Sequence, residues 1–232
     1  MTLACVKKTM SLLIFILLFI SNINAQKRKE GIDLVNEYST KVVDANEIVY
    51  YGWDFSHVKL FDGDYMGNSE DDLKSRIGSI IGLLSERYTP KEMSKLLNKD
   101  IVSDMDNIQR KYIERDYSNL VSFTNFEMKL TDIENIINSY DLSQKSGIGL
   151  VIIAECMNKP DKFTTGYVTF FNLENKSLLW VTKMKGRPDR KSKFSKEWFY
   201  GFEETILYWI PEFYEPKIKE IKKAKKKERK KH

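Results

Sequence analysis

The sequence predicts an α/β protein, with α+β as the alternative class, folded as a single layered domain around a mixed sheet. Three observations favour this class. Strand-like and helical segments alternate along the chain, residues 148–156 form a near-continuous apolar run, and residues 195–210 carry an apolar stripe at helical spacing. We therefore expect a C-terminal β-hairpin and then a long C-terminal helix. The 232 residues, 42% of them hydrophobic, are enough to bury a sizeable core.

The predicted strands differ in the number of faces that they bury. Residues 47–55 are rich in β-branched and aromatic side chains, which favours a first strand. The apolar run 148–156 is typical of a strand that is covered on both faces. Residues 166–171 and 177–184 flank a mostly polar loop, and this arrangement predicts the hairpin.

Capping residues predict where three helices begin. Ser69 stands before three acidic residues and an apolar pattern, so a helix is expected over 70–88. A capping box beginning at Thr89, with proline at the first helical position, starts the next helix. A second capping box, beginning at Thr131, starts a further short helix.

The last predicted helix spans about 195–210 and has one strongly apolar face. Pro211 is expected to interrupt or kink this helix before the basic segment that follows it. The face repeats at intervals of three and four residues and consists of Trp198, Phe202, Ile206 and Trp209.

The first 25 residues resemble a secretory signal peptide. Lys7 and Lys8 precede the apolar run 11–20, and Ala25 stands where a signal peptidase would cleave. A membrane span needs about 17–25 apolar residues, so this run is too short for an uncleaved anchor. Cys5 lies before the run, where lipid attachment is not expected. We therefore predict an exported protein, periplasmic or secreted, with no transmembrane segment after cleavage.

The predicted mature chain has an acidic body and a basic tail. We expect a lead-in over 26–45, one domain over 46–215 and a tail over 216–232. The tail holds ten basic residues against two acidic ones, whereas 26–215 holds 26 basic and 31 acidic residues. A tail of this charge attracts anionic surfaces without sequence preference. Its candidate binding residues are Lys222, Lys223, Lys225, Lys226, Lys227, Arg229, Lys230 and Lys231.

The end of the first strand contains the candidate catalytic residues Asp54, Ser56 and His57. These residue types can supply a nucleophile and a base. In an extended segment, however, neighbouring side chains such as Ser56 and His57 point to opposite faces. The sequence also lacks the G-x-S-x-G pattern of hydrolase nucleophiles. A polar loop at the strand end is therefore the alternative interpretation, and we predict no established catalytic set.

Metal and cofactor chemistry finds little support in the sequence. Asp62 and Asp64 are candidate cation ligands, but Met66 and Leu73 stand where a calcium loop requires oxygen ligands. Phosphate-binding glycine motifs and paired CxxC motifs are absent from the sequence, so no cofactor is predicted. Cys156 lies within the apolar run and is expected to be a core residue.

Two further stretches suggest a resemblance. Residues 51–60 read YGWDFSHVKL, and residues 166–171 read GYVTFF before the predicted hairpin and helix. With the Ala25-Gln26 signal ending, they resemble uncharacterised exported proteins of Bacteroidetes. The order of elements is similar to small periplasmic α/β domains of envelope-assembly lipoproteins, although a lipid-attachment cysteine is absent. The resemblance implies an envelope or secreted role and carries over no catalytic residues.

The sequence thus predicts an exported, non-enzymatic binding or scaffolding protein of the cell envelope. Its partner would be an anionic envelope surface or another protein, and export disfavours nucleic acid. Two alternatives remain open at this stage. One is a hydrolase of unknown substrate that uses carboxylates or Ser56 and His57, and the other is a subunit of an envelope complex with the last helix as its interface.

Overall fold

The sheet is open and mixed, as the sequence predicts. The computed structural model describes residues 31–61, 69–124, 126–143, 146–187 and 194–230. The strands of this part of the chain are β1 (Gly31–Val35), β2 (Glu47–Asp54), β3 (Lys59–Phe61), β4 (Asp100–Ser103), β5 (Val121–Ser122), β6 (Ile148–Asn158), β7 (Phe163–Asn172) and β8 (Leu178–Gly186).

The strand order is β1-β8-β7-β6-β2-β4, and β3 continues beside β6 beyond the end of β2. The strands β1, β6, β7 and β8 are joined by antiparallel pairings, and β7 and β8 form the predicted hairpin. β2 is parallel to both β4 and β6, and β3 is parallel to both β5 and β6. The carboxyl end of β2 therefore lies in the parallel half of the sheet.

Helices cover both faces of the sheet. The helices of the described residues are α1 (Ser39–Asp44), α2 (Glu70–Arg87), α3 (Pro90–Leu97), α4 (Asp106–Ile113), α5 (Leu130–Asn138), α6 (Phe194–Trp209) and α7 (Glu215–Glu228). One core cluster joins one sheet face to α2, α3 and α6, and the other joins the opposite face to α4 and α5. This three-layer arrangement fits the α/β class.

β6 shows why the sequence contains a long apolar run. Leu150 and Ile152 belong to the core cluster on the α2 and α6 side, whereas Val151 and Ile153 belong to the cluster on the α5 side. Side chains alternate between the two faces of a strand, so a strand covered on both faces needs apolar residues at successive positions. The run is the consequence of this central position.

Several local features differ from the prediction. The lead-in over 26–45 contains a strand and a helix, β1 and α1. The helix predicted from a capping box at Thr131 begins two residues earlier than that box implies, at Leu130, and the Asp132 carboxylate accepts a hydrogen bond from the Lys129 backbone N–H. Pro211 does not separate the last two helices, because one turn of π-helix (Ile210–Tyr214) joins α6 to α7. The C-terminal helical segment is therefore long and continuous.

Gly186 lets α6 approach β8 closely, and its replacement gives a first prediction. A Cβ atom at Gly186 would lie 2.0 Å from the Gly201 carbonyl oxygen, so Gly186→Ala must displace backbone. We expect a loss of about 1–3 kcal/mol in the free energy of unfolding, measured by urea denaturation. Gly82→Ala is the matched control, because a Cβ there meets nothing within 4 Å and alanine favours helix. Equal stabilities for the two variants would contradict this account of the contact.

Candidate functional site

A β-bulge in β2 determines which face Asp54 occupies. Tyr50 pairs with Leu150 and Trp53 with Ile152, so β2 contains one more residue than β6 over this interval. Gly52 lies within the bulge with φ +77°, a conformation that glycine adopts readily. The extra residue reverses the alternation of the side chains that follow. As a result Trp53 packs with α2 and α6, and Asp54 meets Tyr140 after α5.

The Asp54 carboxylate is fully buried and accepts three hydrogen bonds. Oδ1 accepts from the Ser56 backbone N–H at 2.7 Å and from the Ser56 hydroxyl at 2.5 Å. Oδ2 accepts from the Tyr140 hydroxyl at 2.5 Å. Burial, together with the neighbouring carboxylate, raises the pKa of Tyr140 well above its ordinary value, so this phenol stays protonated and remains a donor.

Ser56 and His57 lie in a turn rather than in an extended strand. The Val58 backbone N–H donates to the Phe55 carbonyl at 3.3 Å and closes the turn between β2 and β3. Both residues line the same cleft. The expectation that they point to opposite faces assumed an extended backbone, whereas these two positions lie in a turn.

Arg115 fastens this turn from the other side of the cleft. Its Nη1 donates to the Phe55 carbonyl at 2.8 Å, and its Nη2 donates to the Val58 carbonyl at 2.6 Å. Burial lowers the pKa of Arg115, although the nearby Tyr117 and Asp54 oppose the effect. The guanidinium therefore brings a partly desolvated positive charge to the carboxyl end of β2.

The cleft at this end of β2 has a volume of about 710 Å³. In open α/β sheets, ligands bind beyond the carboxyl ends of the strands, where this cleft lies. The cleft contains charged, amide and apolar groups from the turn, from the segment after α4 and from α5. Its lining residues are Ser56, His57, Lys59, Lys111, Glu114, Arg115, Asp116, Asn119, Phe126, Met128, Asp132, Asn135, Ile136 and Ser139.

The cationic side chains of the cleft interact mainly with neutral oxygens. Lys59 donates to the Asn119 carbonyl. Lys111 donates to the carbonyl and to the hydroxyl oxygen of Ser139, and both of these Lys111 bonds are 2.8 Å long. Within the described part of the chain, Lys59, Lys111 and Arg115 form no ion pair with a carboxylate. The cleft therefore holds three cationic groups whose charges are not directly neutralised.

His57 is exposed at this cleft and experiences its positive charge. Partial desolvation lowers the pKa of the imidazole, and Asp54 acts in the opposite direction. Arg115, Lys111 and Lys59 each add to the lowering. His57 therefore favours its neutral form near neutral pH, since an additional proton would meet three cations.

The predicted catalytic candidates do come together, but not as a nucleophile and its base. The Ser56 hydroxyl donates to Asp54, and no hydrogen bond joins Ser56 to His57 among the described residues. Asp54 is held by Ser56 and Tyr140 rather than by the imidazole. The carboxylate therefore orders the turn, whereas a Ser-His-Asp triad requires it to orient the base.

The other sequence candidates have different positions. Cys156 is a buried free thiol, as expected, and burial together with Glu155 raises its pKa to about 12. Asp62 and Asp64, the candidate cation ligands, lie outside the described residues. Among the residues that the structure does describe, no group of three or more histidine, cysteine or acidic side chains is arranged to hold a metal ion.

The basic tail is part of a helix that docks on the body. Ile221 of α7 is buried, and the Lys225 ammonium pairs with the Asp44 carboxylate at the end of α1. Lys222 lines a second cleft that also contains Lys99. Lys231 lies outside the described residues. The remaining candidate residues of the tail, Lys223, Lys226, Lys227, Arg229 and Lys230, are exposed.

Sequence reasoning missed three cationic residues of the cleft, Lys59, Lys111 and Arg115, and it missed the Tyr140 hydroxyl that donates to Asp54. They come from β3, from α4 and the turn after it, and from the residues that follow α5. Only the folded sheet brings them beside Asp54, and no spacing motif connects them. A weak signal was available in the turn itself, since the three polar residues Asp54, Ser56 and His57 stand between two apolar segments.

The fold and cleft define an open α/β sheet protein with a cation-lined cleft at the carboxyl end of a parallel strand. No protein-family model and no curated protein matches the chain. Among solved structures, the chain is similar to the lipoprotein GNA1162 from Neisseria meningitidis, with 9% identity and a TM-score of 0.30. The match covers 64% of this chain and 85% of that one. In the described residues, no helix is both long and apolar enough to cross a membrane.

Proposed function

We propose that the chain is an exported, non-enzymatic binding protein of the cell envelope that attaches to anionic lipid surfaces through α7. The observation that carries the proposal is a lysine face on a helix whose opposite face is docked. Ile218, Ile221 and Lys225 repeat at intervals of three and four residues and face the body. The same spacing places Lys223, Lys226 and Lys227 together on the side that points away.

Docking of α7 on the body should make this lysine face attach to an anionic surface more strongly than a free tail would. The Ile221 contact and the Lys225–Asp44 pair hold α7, so the lysines of the outer face are presented together. Each lysine near an anionic bilayer contributes about 1 kcal/mol of electrostatic attraction. The helix lacks a second apolar face for insertion, because its apolar residues Ile218 and Ile221 pack against the body. The mode of attachment is therefore peripheral and salt-sensitive.

The contacts of Ser56 and of α6 argue against the two alternatives. The Ser56 hydroxyl donates to the buried Asp54 rather than to the His57 imidazole, which weakens the form of the hydrolase alternative that pairs Ser56 with His57. The apolar stripe of α6, comprising Trp198, Phe202, Ile206 and Trp209, is buried against the sheet of the same chain. This stripe is not available as the interface of an envelope complex.

Removing two charges from the lysine face should weaken attachment. For the double variant Lys223→Gln, Lys227→Gln we expect affinity for vesicles that contain 30% anionic phospholipid to fall by roughly 30-fold, since two lysines contribute about 2 kcal/mol. Vesicle co-sedimentation at about 50 mM and 200 mM salt measures the effect. The wild-type protein should also lose affinity between these salt concentrations.

The matched control is the double variant Lys91→Gln, Lys196→Gln. It makes the same change in net charge at exposed lysines of α3 and α6, outside α7. Wild-type affinity is expected for this control. If both double variants lose affinity equally, net charge rather than the lysine face governs attachment. Binding to anionic polysaccharide or to nucleic acid, with none to the vesicles, would replace lipid as the partner and reject the proposal.

A further inference from the structure

We propose that the cleft at the carboxyl end of β2 binds a small organic phosphate, with Lys59 and Lys111 holding the phosphate group beside His57. This site is separate from α7 and does not depend on attachment to a surface. It combines positive charge, an apolar wall and a volume suited to a small molecule. Each of these three properties narrows the class of ligand.

The positive charge favours a ligand with more than one negative charge. Lys59, Lys111 and Arg115 contribute three cations to the cleft, and no carboxylate of the described chain forms an ion pair with them. A carboxylate ligand would supply one negative charge, whereas a phosphate monoester supplies between one and two near neutral pH. The phosphate group matches the charge of the cleft more closely.

The two lysines also have unused donors. An ammonium group has three N–H donors. Lys59 uses one of its donors on the Asn119 carbonyl, and Lys111 uses two on Ser139. Each lysine can therefore donate to a ligand without breaking the contacts that hold it in the cleft. Arg115 donates from both terminal nitrogens to the turn, which uses two of its five N–H donors, and its positive charge adds to that of the two lysines.

The cleft also contains carboxylates, but two of the three are already engaged by nearby donors. Asp116 accepts from the Ser118 backbone N–H and from the Asn119 amide. Hydrogen bonding by the Ser118 side chain, and then by its backbone and by Asn119, lowers the pKa of Asp116. Asp132 accepts from the Lys129 backbone N–H at the start of α5. Glu114 is exposed. Asp116 attracts Lys59 and Arg115 through space, but none of the three carboxylates forms an ion pair with Lys59 or Lys111 within the described chain.

The apolar lining indicates that the phosphate belongs to an organic molecule. Phe126, Met128 and Ile136 face the cleft, and the Lys59 ammonium lies 5.9 Å from the Phe126 ring centre. A volume of about 710 Å³ falls in the usual range for small-molecule sites and greatly exceeds the size of inorganic phosphate. An ester whose organic part packs on Phe126 would fill the cleft better.

Calorimetric titration of the full chain with phenyl phosphate tests the proposal. We expect Kd to be at least about tenfold lower for phenyl phosphate than for either inorganic phosphate or benzoate. Lys59→Gln and Lys111→Gln should each weaken binding of phenyl phosphate about tenfold or more, because each removes a charge-assisted hydrogen bond. Lys91→Gln removes an exposed lysine of α3 and should bind like the wild-type protein.

The imidazole of His57 gives a second readout that does not require a variant. Bound phosphate should raise the pKa of His57, since an anion stabilises the imidazolium against the three cations. Proton NMR can follow the His57 imidazole through the titration, with titration of the same protein by benzoate as the comparison. The groups around His57 are Asp54, Lys59, Lys111, Glu114, Arg115, Asp116 and Asp132.

Either of two results would overturn the proposal outright, and a third would reject its choice of phosphate. One is equal affinity for phenyl phosphate in the wild-type protein and in folded Lys59→Gln and Lys111→Gln, with folding checked by circular dichroism. The other is saturating phenyl phosphate that leaves the pKa of His57 unchanged, which decides the matter even if a variant fails to fold. Benzoate binding as tightly as phenyl phosphate would reject the phosphate class in favour of a general organic anion.

Discussion

Replacing Asp54 with alanine is expected to lower the free energy of unfolding by about 3–5 kcal/mol. The substitution removes the acceptor of three hydrogen bonds at a fully buried position. A buried donor without an acceptor costs about 1–3 kcal/mol, and the Tyr140 hydroxyl is such a donor. The backbone N–H of Ser56 also loses its acceptor in the turn. Urea denaturation followed by tryptophan fluorescence measures the change.

Two milder substitutions separate the contributions to this loss. Ser56→Ala should cost about 1 kcal/mol, because Asp54 keeps its bonds to the Ser56 N–H and to Tyr140. Tyr140→Phe should cost about 1.5–3 kcal/mol, since it removes a hydrogen bond to a charged acceptor. An Asp54→Ala variant as stable as the wild-type protein would contradict this assignment. Such a result would instead favour a catalytic role for Asp54, because catalytic residues often lower the stability of the protein.

Asp54→Ala should disturb the 55–58 turn more than it disturbs the lysines that would bind a ligand. Asp54 and Arg115 hold the 55–58 turn from opposite sides, one through its carboxylate and the other through two carbonyl oxygens. We expect the positions of Lys59 and Lys111 to depend less on Asp54, because these lysines donate to Asn119 and Ser139. Asp54 therefore acts on the site through the geometry of the turn.

The sequence predicted those parts of the fold that local patterns determine. The continuous apolar run at β6 and the capped start of α2 at Ser69 both have physical causes within about ten residues, and the structure has them where expected. β1 was missed for the opposite reason. It is a five-residue edge strand whose Ile32 and Leu34 are exposed, so burial leaves little pattern in the sequence. Its Asp33 accepts hydrogen bonds from Trp180 and Thr182, which only the tertiary structure brings near.

The candidate site was predictable only in part. The turn at Asp54, Ser56 and His57 could be located, because polar residues interrupt two buried strands there. The bulge at Gly52, which turns Asp54 towards Tyr140, depends on pairing with a strand about 100 residues away. The lysines and Arg115 reach the cleft from separate elements. A single sequence carries no information about such convergence.

The Glu155 carboxylate is buried on the same face of the sheet as α5. Its side chain is 1% exposed, and its carboxylate accepts from the Met128 backbone N–H at 2.7 Å and from the Tyr167 hydroxyl at 2.6 Å. It also pairs with Lys183 at 3.2 Å. We expect Glu155→Ala to lower the free energy of unfolding by about 3–5 kcal/mol, because it leaves a half-buried ammonium without this partner. Urea denaturation at pH 7 measures the loss.

Glu127→Ala is the matched control, since Glu127 binds the same lysine at 2.8 Å but is 78% exposed. An exposed ion pair contributes about 0–1 kcal/mol, so the control should be near wild type. Comparable losses for the two variants would mean that burial of the carboxylate is not what matters. Glu155→Gln should fall between them, because the amide oxygen can still accept from Met128 while the charge is lost.

The pH dependence distinguishes the charge of Glu155 from its hydrogen bonds. Partial burial acts to lower the pKa of Lys183, but the carboxylates of Glu127 and Glu155 outweigh it and raise the pKa above 10.5. A pKa raised in the folded state contributes stability that is complete below the unfolded value and is lost as pH rises through the folded one. The wild-type protein should therefore lose this contribution above about pH 10.5, and the loss should be smaller in Glu155→Gln. Identical stability profiles between pH 8 and pH 11 would show that the ion pair adds nothing to the hydrogen bonds, because other groups that ionise in this range, such as the buried tyrosines, are common to both proteins.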